Sequence, residues 1–242
     1  MTAPETPAAP ARSDIPFVTD ALRLVRVLFA PTEVFEENRE KPAFWIPWII
    51  VSVLILAITM LSFPYTMAAM RLGAEARGQP LPASMESIAR FSSLVAVPVM
   101  MLLMCLVSAG LMYLVLLAAG GTVRYKGLLS VSIMGGLIGV LQVLLTFVVL
   151  KMRGPEGLQT IADYQVSFGL DLLLPQDASL PRLVSGALKA ITPFSIWSLV
   201  LTAIGVRVTE KTSNGAAWAA SAAAFLLGVV MAAVFGGMGG PR

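Results

Sequence analysis

Ser195 and Ser198, on either side of Trp197, are the closest this chain comes to a pair of nucleophilic side chains. A serine hydroxyl becomes a nucleophile only beside a general base within hydrogen-bond reach. The chain has no histidine, and no Asp or Glu lies in the apolar stretch that carries the two serines. Hydroxyls in such stretches ordinarily bond back to their own backbone. No catalytic residue is expected, and the chain is not expected to be an enzyme. The single Cys105 offers neither an intramolecular disulfide nor a Cys/His metal cage. Glu156, Asp163, Asp171 and Asp177 share one polar loop and raise the question of Ca²⁺. They lack the alternating DxDxDG spacing that turns carboxylates onto one ion. A solvated loop is the expectation, with no cofactor and no metal.

The other polar groups in apolar surroundings are Lys189, Gln142, Thr146, Thr192 and Thr202. Intramembrane ionisable residues mark transport pathways, and this set is thin. Gln142 sits in the middle of its apolar run and needs a partner, which a neighbouring helix would supply.

The elements that carry these residues are five apolar runs, at about 44–69, 93–119, 128–150, 187–206 and 216–235. Each approaches or exceeds the ~20 residues a helix needs to cross a hydrocarbon core. None holds Asp, Glu, Arg or His, and Lys189 is the one charge, near an end. Continuous runs exclude the alternation of a barrel, and lipid otherwise admits only helices. The chain is 57% hydrophobic and 13% charged, with mean hydropathy +0.83. The expected fold is therefore an all-α integral membrane protein of five transmembrane helices, preceded by an amphipathic interfacial helix. One membrane domain spans 44–237. A Pro/Ala-rich disordered tail (1–16) and a cytoplasmic amphipathic segment (17–43) precede it, and a flexible end (238–242) follows. The tail lacks the apolar core of a cleavable signal. The net charge of +3 lies in loops and flanks without a basic-aromatic stripe, so nucleic acid is not an expected partner.

Between Phe17 and Phe29 a 100° wheel puts Phe17, Val18, Ala21, Leu22, Leu24, Val25, Leu28 and Phe29 on one broad face. Arg23 and Arg26 lie opposite, and Val27 is the exception. Such a helix either lies in the membrane interface or packs on the ends of the spans. Pro31 ends it, and Thr32 is the expected cap of a short second helix. Trp45 and Trp48 at the first span's entry form an aromatic belt that fixes depth in the bilayer. Phe17, Arg23, Arg26, Phe29, Trp45 and Trp48 are thus the candidate membrane-interface or partner-binding residues.

Within the spans, Pro64 is expected to kink or end the first. A helix beginning near Ser84 should run unbroken into the second and project beyond the bilayer, with a bend at Pro98. Gly135 and Gly139 make a small-xxx-small face in the third. With Gln142 and Trp197 they are the candidate helix-packing residues. Phe168–Leu174 is apolar enough to dip into the interface. The short basic connections Gly120–Gly127 and Arg207–Lys211 make spans two and three, and four and five, antiparallel hairpins.

With the N-terminus in the cytoplasm, nine Lys and Arg fall inside and eight outside. The inner loops are short and basic, which favours N-in, C-out.

Four stretches resemble the bacterial branch of the Yip (Ypt/Rab-interacting protein) membrane-domain family. They are Arg26–Phe35 (RVLFAPTEVF) with Trp45-Ile-Pro47, then Gly120–Leu129 (GGTVRYKGLL), then Phe194–Val206 (FSIWSLVLTAIGV). The resemblance covers about residues 20–235, and the order of the motifs is more specific than any one of them. It implies five membrane helices, a cytoplasmic N-terminus and an extracytoplasmic C-terminus. Eukaryotic members of the family are associated with Rab-type GTPases; bacterial ones are membrane proteins of no assigned activity. The short N-terminal segment and its Pro/Ala-rich tail look bacterial, which points to the inner (cytoplasmic) membrane. The expected function is a non-catalytic membrane scaffold or organiser acting through helix–helix and lipid contacts. Its partners would be the bilayer, other membrane proteins or further copies of itself. The alternative is a small-solute or ion transporter or channel, which Pro98 and Pro193 would favour as breaks near a midplane site.

Overall fold

The computed structural model describes residues 16–79, 81–82, 84–154, 157–175 and 180–236. Most of the expected N-terminal tail, the C-terminal end, Glu156 and Asp177 lie outside these residues. The described residues form eight α-helices and two short 3-10 turns, with no strand among them. The helices are α1 (Pro16–Arg26), α2 (Pro31–Glu40), α3 (Trp45–Glu75), α4 (Ser84–Ala118), α5 (Tyr125–Arg153), α6 (Arg182–Ala190), α7 (Pro193–Glu210) and α8 (Asn214–Gly236).

Four of them, α3, α4, α5 and α8, are each long and apolar enough to cross a membrane. The fourth apolar run is not one helix. It divides into α6 and α7, bent by 62° across a two-residue break, and the pair is either a broken span or a re-entrant segment. The count of membrane spans is therefore four or five. The break has a local cause. Pro193 has no N–H to give and pushes the residue before it out of helical geometry, and Thr192 is extended at φ −112°, ψ 162°. Thr192 then starts α7 afresh: its hydroxyl accepts from the Ser195 N–H at 3.0 Å, and Ser195 Oγ accepts from the Thr192 N–H at 2.8 Å.

Pro64 and Pro98 behave differently, each lying inside a continuous helix. The first span does not end at Pro64 but runs on to Glu75. The helix that starts at Ser84 does run unbroken through the second span. At 1.5 Å per residue its 35 residues reach about 50 Å, well past a ~30 Å hydrocarbon core. The projecting end is tied back to α3 by Arg71–Glu86 at 3.6 Å and by Arg90 over the Phe63 ring at 4.9 Å. At its other end α4 stops at Ala118, and Gly120 beyond it, whose φ of 78° suits glycine, lets the Gly121 N–H reach the Leu116 carbonyl at 3.0 Å.

The core is centred on α5, which packs against α3, α4 and α7, while α8 packs against α4, α6 and α7. The two hairpins expected from the short connections, α4–α5 and α7–α8, are both packed pairs. α5 and α7 meet along a four-residue ridge. Gly127 lies against Thr209 and Glu210, Val131 against Gly205, and Gly135 against Thr202 and Ser198. The rising numbers on α5 meet falling numbers on α7, so the two helices are antiparallel.

Candidate functional site

Two regions hold the residues whose chemistry is not explained by burial alone: the N-terminal helix pair and a cavity inside the bundle.

α2 is built into the bundle. Pro31 occupies its first turn, where a missing N–H costs little, and the position before it, Ala30, supplies no side-chain cap. Thr32 is therefore inside the helix rather than its cap. Val34 and Phe35 are fully buried, the Phe35 ring facing Gly205 of α7. Asn38, also buried, donates to Ser130 Oγ of α5 at 2.8 Å and accepts from the Ala43 N–H at 2.8 Å. Ser130 in turn donates to the Ala43 carbonyl. Every polar group of that small network has a partner, which its burial demands.

α1 rests on α2 and α3, with Leu24 and Val27 buried. Leu24, together with Val27 (the exception on the helical wheel, just past the end of α1), thus seats this segment on the bundle. The charged side meets α2: Arg23 pairs with Glu37 at 3.3 Å and with Asp20 at 3.1 Å, and Arg26 pairs with Glu37 at 3.0 Å and Glu33 at 3.4 Å. Arg23 and Arg26 are therefore engaged in ion pairs within the protein. What α1 leaves outward is apolar. Phe17 (53% exposed) and Phe29 (83%) stand out with Val18, Leu22 and Val25. Trp45 is 63% exposed and stacks edge-on between Phe44 and Trp48, at centroid distances of 4.6 and 6.0 Å. The Trp48 indole N–H is buried without a hydrogen-bond partner among the described residues.

A third polar tie closes the same end of the molecule. Arg124, in the α4–α5 connection, donates from its guanidinium to the carbonyls of Arg39 (3.0 Å) and Thr209 (3.4 Å). Its backbone N–H donates to the Glu210 carboxylate at 2.7 Å. Three segments distant in sequence are thereby joined by one side chain.

The helix-packing candidates separate. Gly135 lies against Thr202 and Ser198, but Gly139 is exposed, with nothing within 4 Å of where a Cβ would stand. Gln142 is half-buried; among the described residues its side-chain amide makes no hydrogen bond, and its backbone carbonyl accepts from Thr146 Oγ1 at 3.0 Å. Trp197 is 38% exposed on the outer side of α7. Close helix–helix approaches fall instead at Gly127 and Gly205, between α5 and α7, and at Gly186, where α6 meets the α8 backbone at Ala232 and Ala233. Gly186 has Ala190 four residues on and Gly205 has Thr209, so a small-xxx-small search widened to Ala and Thr would have found these two.

At the opposite end, the acidic loop is organised by local bonds. Asp163 accepts from the Thr160 side chain at 2.8 Å and from the backbone N–H groups of Thr160 and Gln159. These bonds, the Thr160 hydroxyl foremost, hold its carboxyl below the ordinary aspartate range. Asp171 accepts from Ser167. Among the described residues no three Asp, Glu, Cys or His converge as a metal site would require. Leu172 and Leu173, in the 3-10 turn Leu170–Leu173, are exposed. The Leu170 N–H bonds the Ile191 carbonyl at 3.1 Å, which fastens this turn to the α6–α7 break.

Between α3, α4, α5, α7 and α8 lies a cavity of about 460 Å³. Its walls mix the apolar side chains Met101, Met104, Leu199 and Phe225 with the hydroxyls of Ser198, Thr202 and Ser221. Among the described residues no Asp, Glu, Lys or Arg lines it. Ser195, also at the wall, spends its hydroxyl on the α7 cap, donating to the Thr192 carbonyl at 2.9 Å. With no base near either serine, the arrangement presents hydrogen-bonding groups to an uncharged guest rather than a nucleophile.

Among known proteins, the chain is similar to membrane protein YknW of Bacillus subtilis (strain 168). The two are 27% identical over 223 residues, covering 91% of this chain and 92% of the relative. No solved structure matches. The family model of the Yip1 domain matches residues 25–236, from the last turn of α1 to the end of α8. With apolar helices long enough to span a bilayer across that whole match, the chain belongs to the Yip1-domain family of integral membrane proteins.

Proposed function

We propose that this protein is a non-catalytic membrane organiser, whose N-terminal helix pair couples the interface of the bilayer to the transmembrane bundle. One observation carries the reading. α1 turns Arg23 and Arg26 onto the acids of α2 and leaves Phe17, Val18, Leu22, Val25 and Phe29 facing outward. A row of exposed large apolar side chains is costly in water and favourable at the acyl boundary of a membrane. Trp45, exposed at the entry of α3, suits the same depth. α1 then lies in the interface while α2, held through Asn38 and Phe35, passes its position to α5 and α7.

On this reading the N-terminus is cytoplasmic, the C-terminus extracytoplasmic, and the membrane the inner membrane of a bacterium. The bacterial relative and the short basic connections at the α1–α2 end support it. Partners other than lipid would be membrane proteins or further copies of this chain.

The test is made on the full chain in phosphatidylcholine/phosphatidylglycerol nanodiscs, with an environment-sensitive fluorophore on Phe29→Cys. Quenching by spin-labelled lipid, with protection from aqueous iodide, is expected. Quenching by iodide alone would place α1 in water and remove the reading.

A small-solute transporter is the second reading, favoured by the interior cavity and the broken α6–α7 helix. It requires solute flux in liposomes that Gln142→Leu impairs.

A further inference from the structure

The cavity between α5, α7 and α8 has no role in the organiser reading, and its chemistry is specific. Among the described residues, Ser198, Thr202 and Ser221 make no side-chain hydrogen bond. The Ser221 hydroxyl is fully buried without a partner. Serine and threonine in a helix normally satisfy themselves on the carbonyl four residues back, as Ser132 and Thr146 do here at 3.0 Å each. A hydroxyl withdrawn from water and left unpaired is costly. Ser221 is such a group, and with the two unbonded, half-buried hydroxyls of Ser198 and Thr202 on α7 it forms a polar spot in a mostly apolar chamber.

We propose that this chamber binds one uncharged, single-chain lipid that carries a hydroxyl group, such as a long-chain alcohol. Each property of the occupant follows from the walls. The chamber lies at the middle of α4, α5 and α8, at hydrocarbon depth, so the guest arrives from the bilayer. The absence of any charged lining residue among those described excludes a carboxylate or phosphate head, whose burial without a counter-charge is prohibitive. The thioethers of Met101 and Met104 and the Phe225 ring give a pliable apolar wall for a chain. Ser198, Thr202 and Ser221 can each donate to, or accept from, the guest hydroxyl. The volume of about 460 Å³ falls within the ~300–1,000 Å³ of small-molecule sites.

The chamber can be obstructed without disturbing packing. Gly228 lines it at an exposed position, with nothing within 4 Å of where a Cβ would stand. Gly228→Phe therefore blocks its open side, whereas Ser221→Ala removes one hydroxyl and leaves the space open.

The probe is a diazirine-bearing hexadecanol, photolysed with the full-length protein in phosphatidylcholine nanodiscs and mapped by peptide mass spectrometry. Expected are adducts at Met101, Met104 and Phe225, competed by excess hexadecanol but not by excess palmitate. Gly228→Phe should abolish them, and Ser221→Ala should weaken competition by hexadecanol several-fold. Circular dichroism and size exclusion check that both variants stay folded. If Gly228→Phe fails to fold, Gly228→Leu takes its place. Adducts confined to the lipid-facing residues Leu103, Leu114 and Leu226 would overturn the proposal. So would interior adducts that hexadecanol does not displace, or that palmitate displaces equally well. The result is independent of where α1 lies, so the organiser reading and this one fail separately.

Discussion

The side-chain amide of Asn38 donates to the hydroxyl of Ser130 at 2.8 Å, joining residues 92 positions apart in a fully buried contact. It is the polar counterpart of the Phe35–Gly205 contact and fixes α2 on the end of the bundle. Asn38→Ala leaves the Ala43 N–H without its acceptor and takes the donor from Ser130, whose own bond to the Ala43 carbonyl remains; leaving a buried partner unpaired costs about 1–3 kcal/mol. Unfolding followed in detergent should show that loss. The double variant with Ser130→Ala should be less destabilised than the sum of the singles, by roughly 0.5 kcal/mol or more. Strict additivity would mean the pair is not coupled.

Gly205 and Gly139 should respond to alanine with opposite signs. A Cβ at Gly205 meets Val131 Cγ1 at 2.6 Å and the Phe35 ring at 2.8 Å, while one at Gly139 meets nothing within 4 Å. Overpacking costs about 1–3 kcal/mol, and Gly205→Ala should lower the melting temperature accordingly. Adding Val131→Ala should restore part of the loss. Gly139→Ala should be neutral or stabilising, by up to about 1 kcal/mol from helix propensity.

Arg124 reaches two carbonyls, on Arg39 and Thr209, with one planar guanidinium. Lysine keeps the charge but offers a single point donor. Arg124→Lys and Arg124→Ala should therefore both loosen α2. For a partly exposed tie the loss is about 1 kcal/mol, or roughly fivefold in local opening. Trypsin cleavage after Arg39 reads this directly. Unchanged cleavage in Arg124→Ala would show that α2 is held by its apolar contacts alone.

The Asp163 carboxyl is held low chiefly by the Thr160 hydroxyl, then by backbone N–H groups and the Arg153 charge. A carboxyl whose folded pKa is depressed stabilises the folded segment fully above its unfolded value of ~3.9, and the contribution is lost as pH falls through the folded value. The Thr160 amide resonance should accordingly titrate with a midpoint below the ordinary aspartate range. The titration should vanish in Asp163→Asn. A midpoint at the ordinary value would count against the bonds described.

How much of this was legible beforehand differs by element. The apolar runs forecast α3, α4, α5 and α8 because a bilayer demands length and hydropathy, which are one-dimensional properties. The pattern from Arg26 to Val206 pointed to the Yip family, and the family match confirms it. The fourth run misled in one respect. Hydropathy does not register a missing N–H, so the break at Thr192-Pro193 was signalled by Pro193 and not by apolarity. Pro64 and Pro98 show the converse, since prolines in long helices can be carried through by packing on neighbours.

Sequence alone determined the class of this protein, its membrane habit and the amphipathic character of α1. Those follow from local composition and from the 3.6-residue period. The tertiary structure decided which way each face is spent. It turned Arg23 and Arg26 inward to α2, seated Val27, and put the close approaches at Gly205 and Gly186 rather than at Gly139. It also gathered Ser198, Thr202 and Ser221 around one space. These are relations between residues far apart in the chain, set by which helices become neighbours, and no local pattern states which pairs will meet.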